Sequence, residues 1–286
     1  MRLIILYVCV FVFSSCNLIN PDEQEPAYVY IDDYTFSTTI GQGTSSEGIS
    51  EFWVYSNSDI VGVYDLPARI PVLQNGNNRI TVFAGIKNNG VGTDRIRYPF
   101  YATYDTLVNL SPDQITYVKP RFTYASNVEI NDTRNFESGN FFVAGTSNEG
   151  TISLINDAQI AVDGNKCVKA YLNSGSSYMQ FIDNTDLNME SGNTVFLELN
   201  YSANNTFAVG AYAVSSGSST KFPILFITPT TDNDGSAPVW NKIYIDLGLV
   251  ASQNLGAEYY RIYFESSASE SETPTIYLDN LKIVNW

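Results

Sequence analysis

The feature that most constrains this chain is the alternation of apolar and polar residues along most of its length. Segments rich in Val, Ile, Tyr and Phe begin at Tyr28 and return about every ten residues, separated by turns rich in Gly, Asn, Ser and Pro. Successive side chains of a β-strand point to opposite faces, so this alternation is typical of half-buried strands. Aromatic residues make up 14% of the chain, and helix-favouring runs are nearly absent. The sequence therefore predicts an all-β protein.

The strand-like segments fall into two groups, which we interpret as domains covering residues 27–125 and 126–286. In the first group the strand candidates are 51–55, 60–64, 79–86, 96–104 and 115–124. The stretch 65–73 holds two prolines. They confine it to a sheet edge or a connection, because proline cannot donate to a β-ladder.

The order of segments in the first group resembles the PEGA class of small surface β domains. It runs from the strand Trp53-Val54-Tyr55 through a short turn to 60–64, then through the proline-bearing stretch and a glycine turn to the strand 79–86. The resemblance implies a small PEGA-like or immunoglobulin-like β-sandwich that acts as a structural or interaction unit.

The second group has strands with one consistently apolar face, the natural core of a two-sheet sandwich. Its apolar positions are Val195, Leu197, Leu199, Phe207, Val209, Ala211, Ile243, Ile245, Leu247, Tyr260, Ile262 and Phe264. Three segments of this group, 135–139, 163–169 and 275–284, resemble carbohydrate-binding jelly rolls. The resemblance implies a C-terminal jelly-roll β-sandwich.

Charge and missing residue types argue against several functions. Thirty Asp and Glu stand against fifteen Lys and Arg, a net charge of −15, which makes nucleic acid and anionic lipid headgroups poor partners. The chain has no histidine, the commonest general base and metal ligand, so the usual serine-triad and zinc-hydrolase chemistries are unavailable. We therefore expect no enzymatic activity.

The first sixteen residues have the pattern of a secreted lipoprotein. Arg2 precedes about eleven apolar residues, which is too few for a transmembrane helix of roughly twenty and is typical of a secretory signal. The Phe-Ser-Ser-Cys sequence at 13–16 resembles the bacterial lipobox. The resemblance implies a signal peptide over 1–15 and acylation of Cys16, including by palmitate, at an outer membrane. The acidic tether that follows, 16–26, favours exposure on the cell exterior.

Opposite the apolar face of the second group lie aromatic and polar residues that suit a glycan, since aromatic rings pack on sugar C–H surfaces while charged side chains bind hydroxyls. The candidate ligand-binding residues are Glu198, Tyr212, Tyr244, Asp246, Arg261 and Tyr263. Tyrosine is also a common strand residue that pairs with its cross-strand neighbours. If neighbouring strands belong to different sheets, the six residues form no single patch.

Two functions are compatible with these features. The leading hypothesis is a non-catalytic, lipid-anchored surface protein that binds polysaccharide through its jelly roll. The alternative is a structural or interaction subunit of an outer-membrane protein complex with no sugar ligand, in which the tyrosines form a protein interface. Under the alternative, Trp53 and the stretch 66–73 are candidate contacts.

The jelly-roll resemblance also implies a structural calcium ion. In such domains an acid near the domain start and one in the final strand often share it, and the matching positions are Glu137 and Asp279. Calcium binds carboxylate and carbonyl oxygens at irregular backbone. The alternative is that Asp279 only accepts hydrogen bonds from nearby amides.

The final strand independently indicates irregular backbone at 279–280. Ile276 and Leu278 share one face, whereas Leu281 and Ile283 fall on the opposite face under strict alternation. A β-bulge between the two pairs would return all four side chains to the core.

Overall fold

The computed structural model describes residues 24–231, 237–268 and 273–286, which form two β bodies. Cys16 and the segment before it lie outside the described residues. The first body contains β1 (Ala27–Ile31), β2 (Thr35–Phe36), β3 (Glu51–Ser56), β4 (Asp59–Tyr64), β5 (Ala68–Val72), β6 (Gly76–Lys87), β7 (Arg95–Arg97), β8 (Tyr104–Leu110), β9 (Ile115–Tyr117) and β10 (Arg121–Phe122).

The second body contains β11 (Glu129–Arg134), β12 (Phe142–Ala144), β13 (Thr151–Asn156), β14 (Lys166–Tyr171), β15 (Tyr178–Asp183), β16 (Val195–Ala203), β17 (Phe207–Ser215), β18 (Ser218–Ile227), β19 (Asn241–Asp246), the helix α1 (Gly248–Gln253), β20 (Tyr259–Ser267) and β21 (Thr275–Asn285). Among the described residues, no helix has both the length and the apolar character needed to span a membrane.

The first body has a sheet of order β4-β3-β6, with β7 and β8 pairing successive parts of β6, a second sheet of order β5-β1-β9, and the pair β10-β2. The strands predicted at 51–55, 60–64 and 79–86 are confirmed. The proline-bearing stretch supplies β5, which is an edge strand as expected.

The strand candidate at 96–104 is interrupted: 96–97 belong to β7, 98–103 lie outside the strands, and 104 begins β8. The backbone N–H of Tyr98 still donates to the carbonyl of Ala84, and the ladder then stops at Pro99, which has no N–H to continue it. The chain turns there before β8 begins at Tyr104. The turn places Tyr98 and Tyr101 in a buried position.

The second body is a two-sheet sandwich, which confirms the all-β prediction. One sheet has the order β13-β14-β21-β16-β19, with β11 also pairing β21, and the other has the order β12-β15-β20-β17-β18. All twelve apolar positions predicted for its core lie in one buried cluster between the sheets.

The bulge predicted in the last strand is also confirmed. Along β16, Glu198 pairs with Lys282 and Asn200 pairs with Asp279, so two residues of β21 lie opposite one of β16. Asn280 adopts a φ of 50° at this point. Both pairs of apolar side chains, before and after the bulge, therefore reach the same core.

The first body covers the outer face of the sheet that contains β16, β19 and β21, which we call the covered sheet. Phe196, Tyr244 and Val284 project from it and belong to the hydrophobic core of the first body. The remaining sheet, which we call the exposed sheet, packs its inner face on the covered sheet. Its outer face therefore points away from the first body.

A buried carboxylate joins the two bodies. Glu198 on β16 is fully buried, and its Oε1 accepts a 2.8 Å hydrogen bond from the Tyr98 hydroxyl. The Tyr124 hydroxyl lies 2.9 Å from Oε2, and Lys242 Nζ lies 3.2 Å from the same oxygen. Both tyrosines belong to the first body, so it supplies two of the groups that stabilise a charge in the second.

A second buried cation lies beside this carboxylate. Lys282 Nζ donates to the carbonyl of Thr44 in the first body at 2.5 Å. Burial lowers the pKa of Lys282 to about 8, with Glu198 opposing and Lys242 adding to the change. The interface thus holds two lysines against one carboxylate.

We expect Glu198→Ala to destabilise the whole protein, because it leaves Lys242 and Lys282 buried without their anion. Removing one partner of a buried pair costs about 3–5 kcal/mol. Thermal or denaturant unfolding followed by circular dichroism measures this, with Glu190→Ala at an exposed site as the matched control. A loss no larger than that of the control would show that the carboxylate does not hold the interface together.

Candidate functional site

The six residues predicted to bind ligand lie on two different sheets. Glu198, Tyr244 and Asp246 lie on β16 and β19 of the covered sheet, whereas Tyr212, Arg261 and Tyr263 lie on β17 and β20 of the exposed sheet. The six residues therefore form no single patch, which is the outcome stated above for strands that belong to different sheets.

Glu198 and Tyr244 do lie opposite the core face, as alternation indicates, but the first body covers them. Glu198 is 0% exposed and Tyr244 is 1% exposed. The Tyr244 hydroxyl contacts the Tyr101 hydroxyl at 2.9 Å and accepts a hydrogen bond from the N–H of Gly48 at 2.8 Å. Asp246 is half-buried, and its Oδ1 accepts the N–H of Gly248. Alternation identifies the face of a sheet but not what packs on it.

On the exposed sheet, Tyr212 and Tyr263 form a pair, with their ring centroids 5.1 Å apart. Tyr263 lies over Gly210 of the neighbouring strand, where a Cβ would come within 2.2 Å of its hydroxyl oxygen. Only glycine allows this approach. The Tyr263 hydroxyl is buried and has no hydrogen-bond partner among the described residues. Burial makes the largest contribution to raising the pKa of Tyr263, and nearby Glu265 and Tyr212 raise it further.

Glu265 is the centre of a polar network on the same face. Its Oε2 accepts hydrogen bonds from the Tyr178 hydroxyl at 2.5 Å, Gln180 Nε2 at 2.8 Å and Lys221 Nζ at 2.6 Å. The Tyr212 hydroxyl donates to Gln180 Oε1 at 3.2 Å. Burial alone would raise the pKa of Glu265, but these three donors outweigh it and lower the pKa. The carboxylate is therefore fixed in position and ionised.

Arg261 lies further along the same face. Its Nε is 2.6 Å from Asp186 Oδ1, and its guanidinium lies 5.2 Å from the Tyr259 ring centroid. The hydrogen bond to Asp186 raises the pKa of Arg261. Both charged groups remain partly exposed.

The sequence interpretation did not include Tyr178, Gln180, Lys221 or Phe226 among the site residues. Phe226 is 73% exposed and pairs with Ala208, on the outer face of the sheet. The register between β17 and β18 shifts at Val209–Gly210, so strict alternation from Lys221 would have placed Phe226 inside. The other three residues could have been found by extending the alternation to β15 and β18.

The two acids predicted to share calcium both contact the loop between β13 and β14. Glu137 Oε1 accepts the N–H groups of Asn165 and Lys166, each at 2.7 Å, and these bonds lower the pKa of Glu137. Asp279 Oδ2 accepts the N–H of Val162 at 3.0 Å. Burial raises the pKa of Asp279 to about 7.

The contact of Asp279 fits the alternative in which that side chain only accepts hydrogen bonds from nearby amides. Lys166 Nζ also donates to the Glu137 carbonyl at 2.7 Å, which places a positive charge beside it. Within the described ranges, acidic and cysteine side chains nowhere gather in threes around a possible metal position. Calcium at Glu137 and Asp279 stays a prediction.

No protein-family model and no curated protein sequence matches this chain. Solved structures that resemble it include the xylan-binding CBM22-1 domain of Paenibacillus barcinonensis Xyn10C, with 11% identity and a TM-score of 0.40 over 56% of this chain and 97% of that domain. The family 11 carbohydrate-binding module of Clostridium thermocellum Lic26A-Cel5E has 11% identity and a TM-score of 0.40, over 57% of this chain and 96% of that module. A carbohydrate-binding module of the β-sandwich superfamily has 13% identity and a TM-score of 0.42, over 92% of this chain and 99% of that module.

Proposed function

We propose that this chain is a non-catalytic, lipid-anchored protein that binds glycan on the outer face of its exposed sheet. The observation that carries the proposal is the position of that face. Of the two outer faces of the sandwich, one is covered by the first body, and the other presents an aromatic and polar surface to solvent.

The side chains on this face suit an uncharged sugar ring. Phe226 offers an exposed aromatic side chain beside the small residue Ala208, whose other neighbour across the sheet is Glu265. The ionised carboxylate can accept hydrogen bonds from sugar hydroxyls. Because Tyr178 and Gln180 already fix it, little side-chain entropy is lost on binding.

The same network argues against catalysis. A glycosidase needs a carboxylic acid with a raised pKa to protonate the leaving group. The pKa of Glu265 is lowered instead, and Asp186 pairs with Arg261. The chain also has no histidine to act as a proton donor.

A second candidate function is protein docking through the first body. On the outer face of β3, β4 and β6, Trp53 is half-buried, and Ile60 and Val63 are exposed by 56% and 44%. The Arg97 guanidinium lies 4.8 Å from the Phe83 ring centroid. Trp and Arg among apolar side chains are typical of interface hot spots.

We expect Phe226→Ala and Tyr212→Ala to weaken polysaccharide binding by about tenfold or more, equivalent to about 1.4 kcal/mol, because each removes ring area from the sugar surface. Affinity electrophoresis of the full mature chain in a panel of soluble polysaccharides measures this. Tyr117→Ala, at a 71% exposed tyrosine of the first body, is the matched control.

Melting temperatures of all three variants should stay near that of the parent chain, because the truncated rings are partly or largely exposed. If no polysaccharide in the panel retards the parent chain, the glycan proposal fails. A pull-down that depends on Trp53 would then favour the docking function.

For the anchor, we expect Cys16→Ala to abolish incorporation of labelled palmitate and to leave the protein uncleaved or outside the membrane fraction. Cys9→Ala, inside the apolar run, should keep both the label and the cleavage. Protease added to intact cells should degrade the anchored protein if it faces the exterior. A labelled, mature-sized Cys16→Ala protein would contradict the lipobox interpretation.

The remaining proposal is the calcium ion shared by Glu137 and Asp279. A ligand at 100 times its Kd adds about 2.7 kcal/mol to the free energy of unfolding, so the melting temperature should be several degrees higher in calcium than in chelator. Asp279→Asn should remove that difference, whereas Glu149→Gln, at another loop acid, should keep it. Equal melting temperatures in calcium and in chelator, together with no metal by elemental analysis, would contradict the calcium proposal. Asp279 would then only accept hydrogen bonds from nearby amides.

A further inference from the structure

A second concave site lies between the two bodies, on the side where β19 passes under the first body. The cleft has a volume of about 330 Å³, within the range of about 300–1,000 Å³ that is common for small-molecule sites. Ser50 and Lys87 line it from the first body, and Tyr201, Thr228, Asn241 and Lys242 line it from the second. Domain interfaces are frequent locations of ligand sites.

Close backbone contacts hold the two walls of this cleft in place. A Cβ at Gly48 would lie 3.1 Å from Lys242 Cβ, and a Cβ at Gly90 would lie 3.0 Å from Ile243 Cδ1. The N–H of Asn89 also donates to the Tyr244 carbonyl at 2.9 Å. The cleft is therefore formed by the fold itself and does not need a ligand to shape it.

The charge of the cleft is opposite to that of the chain. Acids outnumber bases thirty to fifteen in the sequence, yet the lining contains two lysines and no Asp or Glu among the described residues. The Glu198 carboxylate, which pairs with Lys242, also interacts electrostatically with buried Lys282, so one negative charge serves two lysines. Within the described part of the chain, the exposed Lys87 ammonium has no carboxylate within 4.0 Å. An anion is the complementary ligand.

The neutral part of the lining consists of groups that both donate and accept hydrogen bonds. Thr228 provides a hydroxyl at the cleft, and Asn241 Nδ2 lies 3.4 Å from the Tyr201 hydroxyl. The Ser50 hydroxyl donates to Glu51 Oε2 at 3.0 Å and therefore faces the cleft as an acceptor. Such groups match the hydroxyls of a polyol. We propose that the cleft binds a small polyhydroxylated carboxylate, such as a uronic-acid residue, with its carboxylate at Lys87. This site is separate from the exposed sheet and does not depend on the function proposed for it.

The test uses the full mature chain, with sodium D-galacturonate and D-galactose as probes that differ only in the carboxylate. Titration followed by NMR should give saturable binding of galacturonate and at least about tenfold weaker binding of galactose. Lys87→Met should weaken galacturonate binding by about tenfold, since it keeps the length of the side chain but removes the charge. Lys87→Arg should restore it. Lys119→Met, at a first-body lysine paired with Asp33, should bind as the parent does.

Equal binding of galactose and galacturonate would overturn the proposal, and so would unchanged galacturonate binding in Lys87→Met. Loss of galacturonate binding in Phe226→Ala would also overturn it, because the acid would then bind on the exposed sheet, and the glycan function would stand. Polygalacturonate that binds with the same dependence on Lys87 would identify a polysaccharide end as the source of the carboxylate. Binding of the free sugar alone would identify a monosaccharide ligand.

Discussion

The buried carboxylate of Glu198 is the interaction on which the rest of this structure depends. An ion taken out of water costs several kcal/mol unless it is paired and hydrogen-bonded. Here the pairing comes from Lys242 in the second body, and the hydrogen bonds come from Tyr98 and Tyr124 in the first. Without the first body, Glu198 would lose both tyrosine hydroxyls and Lys282 would lose the carbonyl of Thr44. The two bodies are therefore expected to fold as one unit.

That arrangement decides where ligands can bind. A sandwich has two outer faces, and both faces here carry tyrosines and charged residues at alternating positions. Packing of the first body turns one of these faces into an internal interface and leaves the other to solvent. The difference between Tyr244 and Tyr212 is thus set by a contact with another part of the chain and not by their own strands.

The local properties of the sequence were sufficient to predict the all-β class, the core of the second body and the bulge at Asp279. The bulge follows from the period-two pattern within one strand, and the core and the all-β class follow from the same pattern repeated in many strands. Whether the six candidate residues share one sheet was not predictable in this way, because membership of a sheet depends on long-range pairing. The exposed position of Phe226 was hidden for a related reason, since a single register shift in β18 reverses the face of every later residue.

The turn at Pro99 is a second case in which the local apolar pattern was not sufficient to predict the structure. The apolar pattern there resembles a strand, but Tyr98 and Tyr101 lie in a turn. Their rings pack on Tyr244 of the second body as well as on first-body rings such as Phe100 and Phe36. An apolar pattern reports that residues are buried, and it does not report in which body they are buried.

The two candidate sites differ in how they are connected to the interface between the bodies. Lys242 both pairs with Glu198 and lines the cleft, so the charge and the shape of the cleft are tied to the buried network. The Glu265 network lies on the opposite side of the hydrophobic core of the second body, and no ionisable group bridges the two among the described contacts. A change at the interface should therefore reach the cleft directly and reach the exposed sheet only through global stability. This separation makes it possible to attribute a change in binding to one site or the other.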